Sequence, residues 1–197
     1  MRNLIIFSVI FMMFGGSGHS QEAYFDEESA LIFPMEIGKF DFQGQRNYEQ
    51  PGLGYSLRYG DDNFFKVDIY VYDNTYKEIK DGISSKEVAD EFNSAAANIT
   101  SMEKLGYYEN VEELYIGEAV FGQKGFKFLW AQFQYEQTPA DEVQYFGKRI
   151  SNTYLTAING KFIKVRLTLK KKEQIARKGD IDSFMKDLSA VLLNPNQ

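Results

Sequence analysis

One amphipathic stretch, Ser84 to about Leu105, sits between segments that all read as strand, and that placement limits what the chain can fold into. Val88, Phe92, Ala95, Ile99 and Met102 recur at alternating four- and three-residue steps, which aligns them on one face of a helix. Asp90, Asn93, Ser94 and Ser101 fall on the other side. Ser84 is spaced to cap this helix, Glu87 to close a capping box, and Ile83 and Val88 to form a hydrophobic staple. Gly106 is the stop. A lone helix among strands can bury its stripe only against a sheet. Each large apolar member adds about 1.5–3 kcal/mol if fully buried there.

The strands themselves alternate. Leu31–Phe42 reads as a first strand interrupted near Pro34 and Gly38, and Gly44–Gly52 as a loop. Leu53, Tyr55, Leu57 and Tyr59 then face Phe65, Val67, Ile69 and Val71 around the Gly60-Asp61-Asp62-Asn63 turn. The expected register pairs Tyr59 with Phe65 and Leu57 with Val67, and a one-residue slip would send partners to opposite faces. After the helix, Val111–Phe121 and Phe126–Tyr135 are two further strands. The second is apolar on both faces, as a mid-sheet strand covered on both sides should be. Asn159-Gly160 is a type I′ hairpin signal that pairs Ile158 with Lys161 and Tyr154 with Val165. Lys170–Gly179 reads as a basic connection, and a last helix starts at Asp180 or Asp182, carries Ile181, Phe184, Leu188, Val191 and Leu192 on one side, and ends at Asn194-Pro195. The expected fold is α+β: a mainly antiparallel twisted sheet covered by helices on both faces, an α/β/α sandwich.

The N-terminus has the three parts of a secretory signal: Arg2, an apolar run from Leu4 to Phe14, and small residues through Ser20. Cleavage after Ser20 is expected, leaving a flexible acidic lead-in over residues 21–30 and a single domain over 31–197, in the periplasm or secreted, with no integral membrane span. Lys and Arg number 22 against 28 Asp and Glu, so losing Arg2 moves the net charge from −6 to −7. That acidity argues against nucleic acid as a partner. The chain has no Cys, and its one His is His19, inside the signal. Cysteine and serine–histidine hydrolases and histidine- or cysteine-ligated metals are thereby excluded. No catalytic residue, metal ligand or cofactor site is assigned.

Several groups of residues still invite a functional reading. Lys164, Arg166, Lys170, Lys171 and Lys172 form the one basic concentration of an acidic protein, either a docking surface for an anionic group or lysines that keep a sheet face soluble. Tyr55, Tyr70, Tyr72, Trp130, Tyr135 and Tyr154 either line a ligand cleft or simply pack the core, since sheets favour such rings. Asp61-Asp62-Asn63 is a solvated turn or a calcium loop. Arg58 and Asp68 are placed as a diagonal cross-strand ion pair or an anion-reading pair. Ser151 and Lys164 share a face, but Ser151 is expected opposite Thr168, too far from Lys164 for Ser–Lys catalysis.

Phe33-Pro34, Ile37-Gly38, Phe40, Gly54, Tyr59 and Asp68-Ile69-Tyr70-Val71-Tyr72-Asp73 resemble stretches of exported bacterial proteins. The closing hairpin, with Gly160-Lys161-Phe162-Ile163-Lys164-Val165, followed by Phe184 to Leu192, is similar in layout to the PsbP-like and DcrB-like α/β/α sandwich domains. The resemblance implies a small noncatalytic exported domain and carries over no functional residues; PsbP-like proteins assist a membrane complex, a role that fold alone does not transfer. The leading expectation is an accessory or interaction module that partners another envelope protein. The alternatives are a carrier of an apolar or aromatic ligand between sheet and helix and, last, a carboxylate-based hydrolase.

Overall fold

The computed structural model describes residues 23–26, 29–61, 65–138 and 147–193. The expected signal at 1–20, Asp62 and Asn63 of the expected turn, and the expected helix stop at Asn194-Pro195 lie outside them. Among the described residues the elements are β1 (Ala23–Asp26), β2 (Leu31–Pro34), β3 (Glu36–Ile37), β4 (Phe40–Asn47), β5 (Tyr55–Gly60), β6 (Lys66–Tyr72), α1 (Lys86–Lys104), β7 (Tyr108–Phe121), β8 (Phe126–Gln137), β9 (Gly147–Ile158), β10 (Lys161–Lys170) and α2 (Gln174–Leu193), with a 3-10 turn at Lys171–Glu173. Eight strands make one antiparallel sheet in the order β3-β4-β5-β6-β10-β9-β8-β7, and β1 pairs with β2 alongside it. α1 covers one face and α2 the other. This is the α/β/α sandwich.

Alternation along the central strands builds both layers at once. Val67, Ile69, Val71, Ile163, Val165, Leu167 and Tyr154 point toward α2 and join Phe184, Met185 and Leu188. Tyr72, Leu155, Ala157, Phe162, Ala131 and Phe133 point toward α1 and join Val88, Phe92 and Ile99. β8 lies between β7 and β9 and feeds both layers, as its two apolar faces require. The β9–β10 register is the one that Asn159-Gly160 specifies, with Ile158 on Lys161 and Tyr154 on Val165. Asn159 and Gly160 have φ of 49° and 75°, the left-handed pair of a type I′ turn.

Six expectations are corrected. The α1 cap is Ser85, whose hydroxyl accepts from the Val88 N–H at 3.2 Å; with the cap one residue later, Ile83 and Val88 are no longer in staple register. The β5–β6 hairpin is displaced by two residues, pairing Tyr59 with Val67 and Leu57 with Ile69. A two-residue shift keeps every side chain on its face, so the pattern could not detect it. Arg58 and Asp68 are therefore directly opposite rather than diagonal. β4 runs to Asn47 through a bulge between Phe42 and Gly44, into what composition marks as loop. α2 begins at Gln174, six residues before Asp180. Its first two turns carry little apolar signal; they are held by charge, Arg177 pairing with Asp61 and Asp180 while its guanidinium lies 5.3 Å from the Phe65 ring centre. Ala23–Asp26, in the stretch that composition marks as mobile, forms β1 on β2.

Gly106, at φ 80°, ends α1 as the stripe implies. Its N–H donates to Glu103 O, and that of Tyr107 to Met102 O, which is the Schellman pattern. At the other end the connector is stitched to β9 by the Gly82–Ala157 bridge. Both ends of α1 are thus fixed over the sheet.

Candidate functional site

The six aromatic residues singled out above do not form one cleft. Tyr55, Trp130 and Tyr154 sit on the α2 face, and Tyr70, Tyr72 and Tyr135 on the α1 face. The reason is strand alternation: Tyr70 and Tyr72 lie on even positions of β6, whereas its odd positions face α2. The five basic residues also divide. Lys164 and Arg166 line a cleft beside α1, while Lys171 and Lys172 are exposed beyond the end of β10 with Lys170 and Lys148.

Two clefts, one on each face, collect five of these eleven residues. The α2-side cleft has a volume of about 620 Å³ and lies between α2 and the β7–β8–β9 end of the sheet. Trp130 and Tyr154 form its wall, their rings nearly parallel at 12° with centres 5.8 Å apart. Phe121 meets Tyr154 edge-on at 5.7 Å, and Tyr115 lies 4.4 Å from Trp130. Polar groups at the floor are paired internally: Trp130 Nε1 and Gln132 Nε2 both donate to Asn152 Oδ1, at 3.1 and 2.8 Å. Val120 and Ile175 stand at the rim, 56% and 91% exposed. Leu114 and Ile116 are also exposed along β7, Ile116 opposite Ala131 and so on the α1 side of the sheet. β7 pairs only with β8 among the described residues, and its outer edge is regular from Ile116 to Phe121, past two irregularities nearer its start.

The α1-side cleft, about 340 Å³, is chemically different. Ala95, Ile99, Met102 and Leu105 of α1 form one wall, and Lys164, Arg166, Tyr70 and Thr153 the sheet wall. Lys164 Nζ lies 4.7 and 5.3 Å from the ring centres of Tyr72 and Tyr70 and 3.9 Å from Glu91 Oε1. Glu91 is already engaged, accepting from Tyr72 Oη at 2.5 Å and from Asn74 Nδ2 at 3.2 Å. Burial pushes the Lys164 ammonium below its ordinary value; Glu91 opposes that shift and Arg166 adds to it. Arg166 donates to Tyr108 Oη at 3.3 Å, and Tyr108 stacks on Tyr135 at 3.9 Å.

The remaining candidates have local partners. Asp61 accepts from the Phe65 N–H at 3.0 Å and pairs with Arg177, so its carboxylate serves the β5–β6 connection and α2. Arg58 holds Asp68 through two contacts of 2.6 and 3.1 Å. Ser151 is opposite Thr168, whose hydroxyl lies 3.3 Å from its own. Among the described residues no three His, Cys, Asp or Glu side chains converge to hold a metal, and no helix is long and apolar enough to cross a membrane.

Sequence reasoning missed Ile175 and Val120 as exposed apolar groups. Ile175 falls in the stretch that reads as a polar connection, and only the early start of α2 turns it into a helical residue at the lip of a cleft.

No protein-family model and no curated protein matches the chain. Among solved structures it is similar to the solution structure of cyanobacterial PsbP (CyanoP) from Synechocystis sp. PCC 6803, at 16% identity and a TM-score of 0.50 over 89% of this chain and 96% of that one. At that identity the likeness is one of fold, the PsbP-like layout.

Proposed function

We propose that this protein is a noncatalytic exported module that docks a partner polypeptide of the cell envelope through the β7 edge and the adjoining α2-side cleft. The carrying observation is Ile175, an apolar side chain held 91% exposed at the lip of an aromatic-walled cleft. Surface apolar residues scattered singly need no explanation, but Ile175 and Val120 stand together at the lip of one cleft, and Ile116 and Leu114 are exposed further along the same edge strand. A regular strand edge offers backbone donors and acceptors to an added strand, and the neighbouring cleft offers a pocket for its apolar side chains. The export signal and the absence of Cys and of His beyond residue 19 support the same reading, by removing the common nucleophiles, bases and metal ligands.

The test is a pair of charge insertions, Ile175→Asp and Val120→Asp, in the exported protein. Both positions face solvent, so melting should shift by no more than about 0.5 kcal/mol. Co-purification of the partner from the protein's own cells should fall at least about tenfold, the effect of burying an unpaired charge in an interface. Unchanged co-purification with both variants folded contradicts the reading.

A further inference from the structure

We propose that the α1-side cleft is a binding site for a small amphipathic carboxylate, its head on Lys164 and Arg166 and its apolar body along Ile99, Met102 and Leu105. The site lies over β10, two strands in from β8 and on the opposite face of the sheet from the α2-side cleft, so either proposal stands or fails without the other.

The case rests on an imbalance of charge inside a cavity. Lys164 and Arg166 are two residues apart on β10 and point to the same side, which sets their stems roughly 7 Å apart, a span that one carboxylate can bridge. Burying a cation is costly unless it is paired. The charged groups around these two are few. Glu91, from α1, is 3.9 Å from Lys164, beyond hydrogen-bond length, and its oxygens are taken by Tyr72 and Asn74. Asp68 is across from Arg166 on β6, but its carboxylate is held by Arg58. Among the described residues Arg166 has only the neutral Tyr108 hydroxyl as a polar partner. Two cations and one committed carboxylate leave a net positive floor in a protein of net charge −6.

The walls specify the rest of the ligand. Met102 is half-buried and Leu105 is 67% exposed, although both belong to the apolar side of α1. An alkyl or aryl body lying there would cover them, while the Tyr70 and Tyr108 hydroxyls, at the sheet end of the same cleft, add donors for the head. A volume of about 340 Å³ is at the small end of ligand cavities, which suits a monocarboxylic acid rather than a lipid or a nucleotide.

The probes are decanoate and decanol, titrated calorimetrically into the processed protein at pH 7. The single tryptophan, Trp130, lies in the other cleft and reports where binding occurs. Decanoate should bind saturably at one site, decanol at least about tenfold more weakly, and Trp130 emission should not move, because a charge-assisted contact is worth at least that factor. Lys164→Met with Arg166→Met should erase the preference for the acid. Absence of saturable decanoate binding, equal binding of decanol, a shift in Trp130 emission, or undiminished preference in the folded double variant each overturns the site. If the double variant does not fold, the acid-to-alcohol comparison on the unaltered protein decides alone.

Discussion

Beneath α2 the central strands present Val67, Ile69, Ile163, Val165 and Leu167; beneath α1 the same strands present Tyr70, Lys164, Arg166 and Thr153. The α2 side closes around Phe184, which meets Phe40 and Tyr59 edge-on at 5.3 and 5.9 Å, and opens at its β7 end. The α1 side is apolar where Val88, Phe92 and Ile99 sit, and turns polar along β10. One set of alternating strands has thus made one face of packed apolar side chains and another that also carries charged and polar groups. Half-buried cations such as Lys164 and Arg166 are tolerated where the rest of the core is large enough to carry their cost.

The largest difference between the faces should appear on truncation of their central rings. Phe184→Ala should cost about 5 kcal/mol and Phe92→Ala about 3 kcal/mol in denaturant melts, both within the usual range for a buried phenylalanine. Phe184 is enclosed by rings that cannot collapse into its space, whereas Phe92 lies on the helix that flanks an open cleft. Equal costs would mean that the α1 layer is packed as tightly as the other. Next, Asn159→Ala should cost about 1–2 kcal/mol, because Asn159 holds a left-handed φ of 49° and its amide donates to Ser29 O at 2.8 Å. Ser85→Ala should cost about 1 kcal/mol through the lost bond to Val88, while Ser84→Ala should be near zero.

The smallest change is the most informative about the α1 face. Lys164→Met should cost less than about 1 kcal/mol or stabilise, since the lost ring contacts are offset by relief of a half-buried charge. The sign with pH follows from linkage. A lysine whose folded pKa lies below its ordinary 10.5 binds fewer protons folded than unfolded in that interval, so the native protein gains stability relative to the variant as pH rises toward 10.5. Thermal melts of both proteins from neutral to alkaline pH should show the gap moving in favour of lysine; a pH-independent gap would mean that Lys164 is not buried as a strained cation.

The contrast between the faces was half legible in the residues. Period-two alternation placed Tyr154, Val165 and Leu167 together, and Asn159-Gly160 specified their pairing to the residue. Around the Gly60 turn no such two-residue signal exists, and alternation is blind to a shift of two; the register there slipped accordingly. Ser84 and Ser85 are chemically equal as caps, so local sequence could not choose between them. The site was less legible than the fold. Lys164 and Arg166 read as a solvated face because nothing in the strand pattern says that α1 lies over it. Ile175 read as part of a linker because the first turns of α2 are held by the Arg177 ion pairs, a long-range contact with Asp61 that periodicity does not encode.

The most direct measurement is site-specific photocrosslinking in the protein's own cells, with a photoreactive phenylalanine analogue at Ile175 and, as a control, at Lys172. Lys172 is exposed on the preceding turn but off the cleft wall. A docking edge predicts one discrete polypeptide adduct from position 175, lost when Val120→Asp is added, and none from 172. No adduct at 175, or the same adducts from both positions, would contradict it.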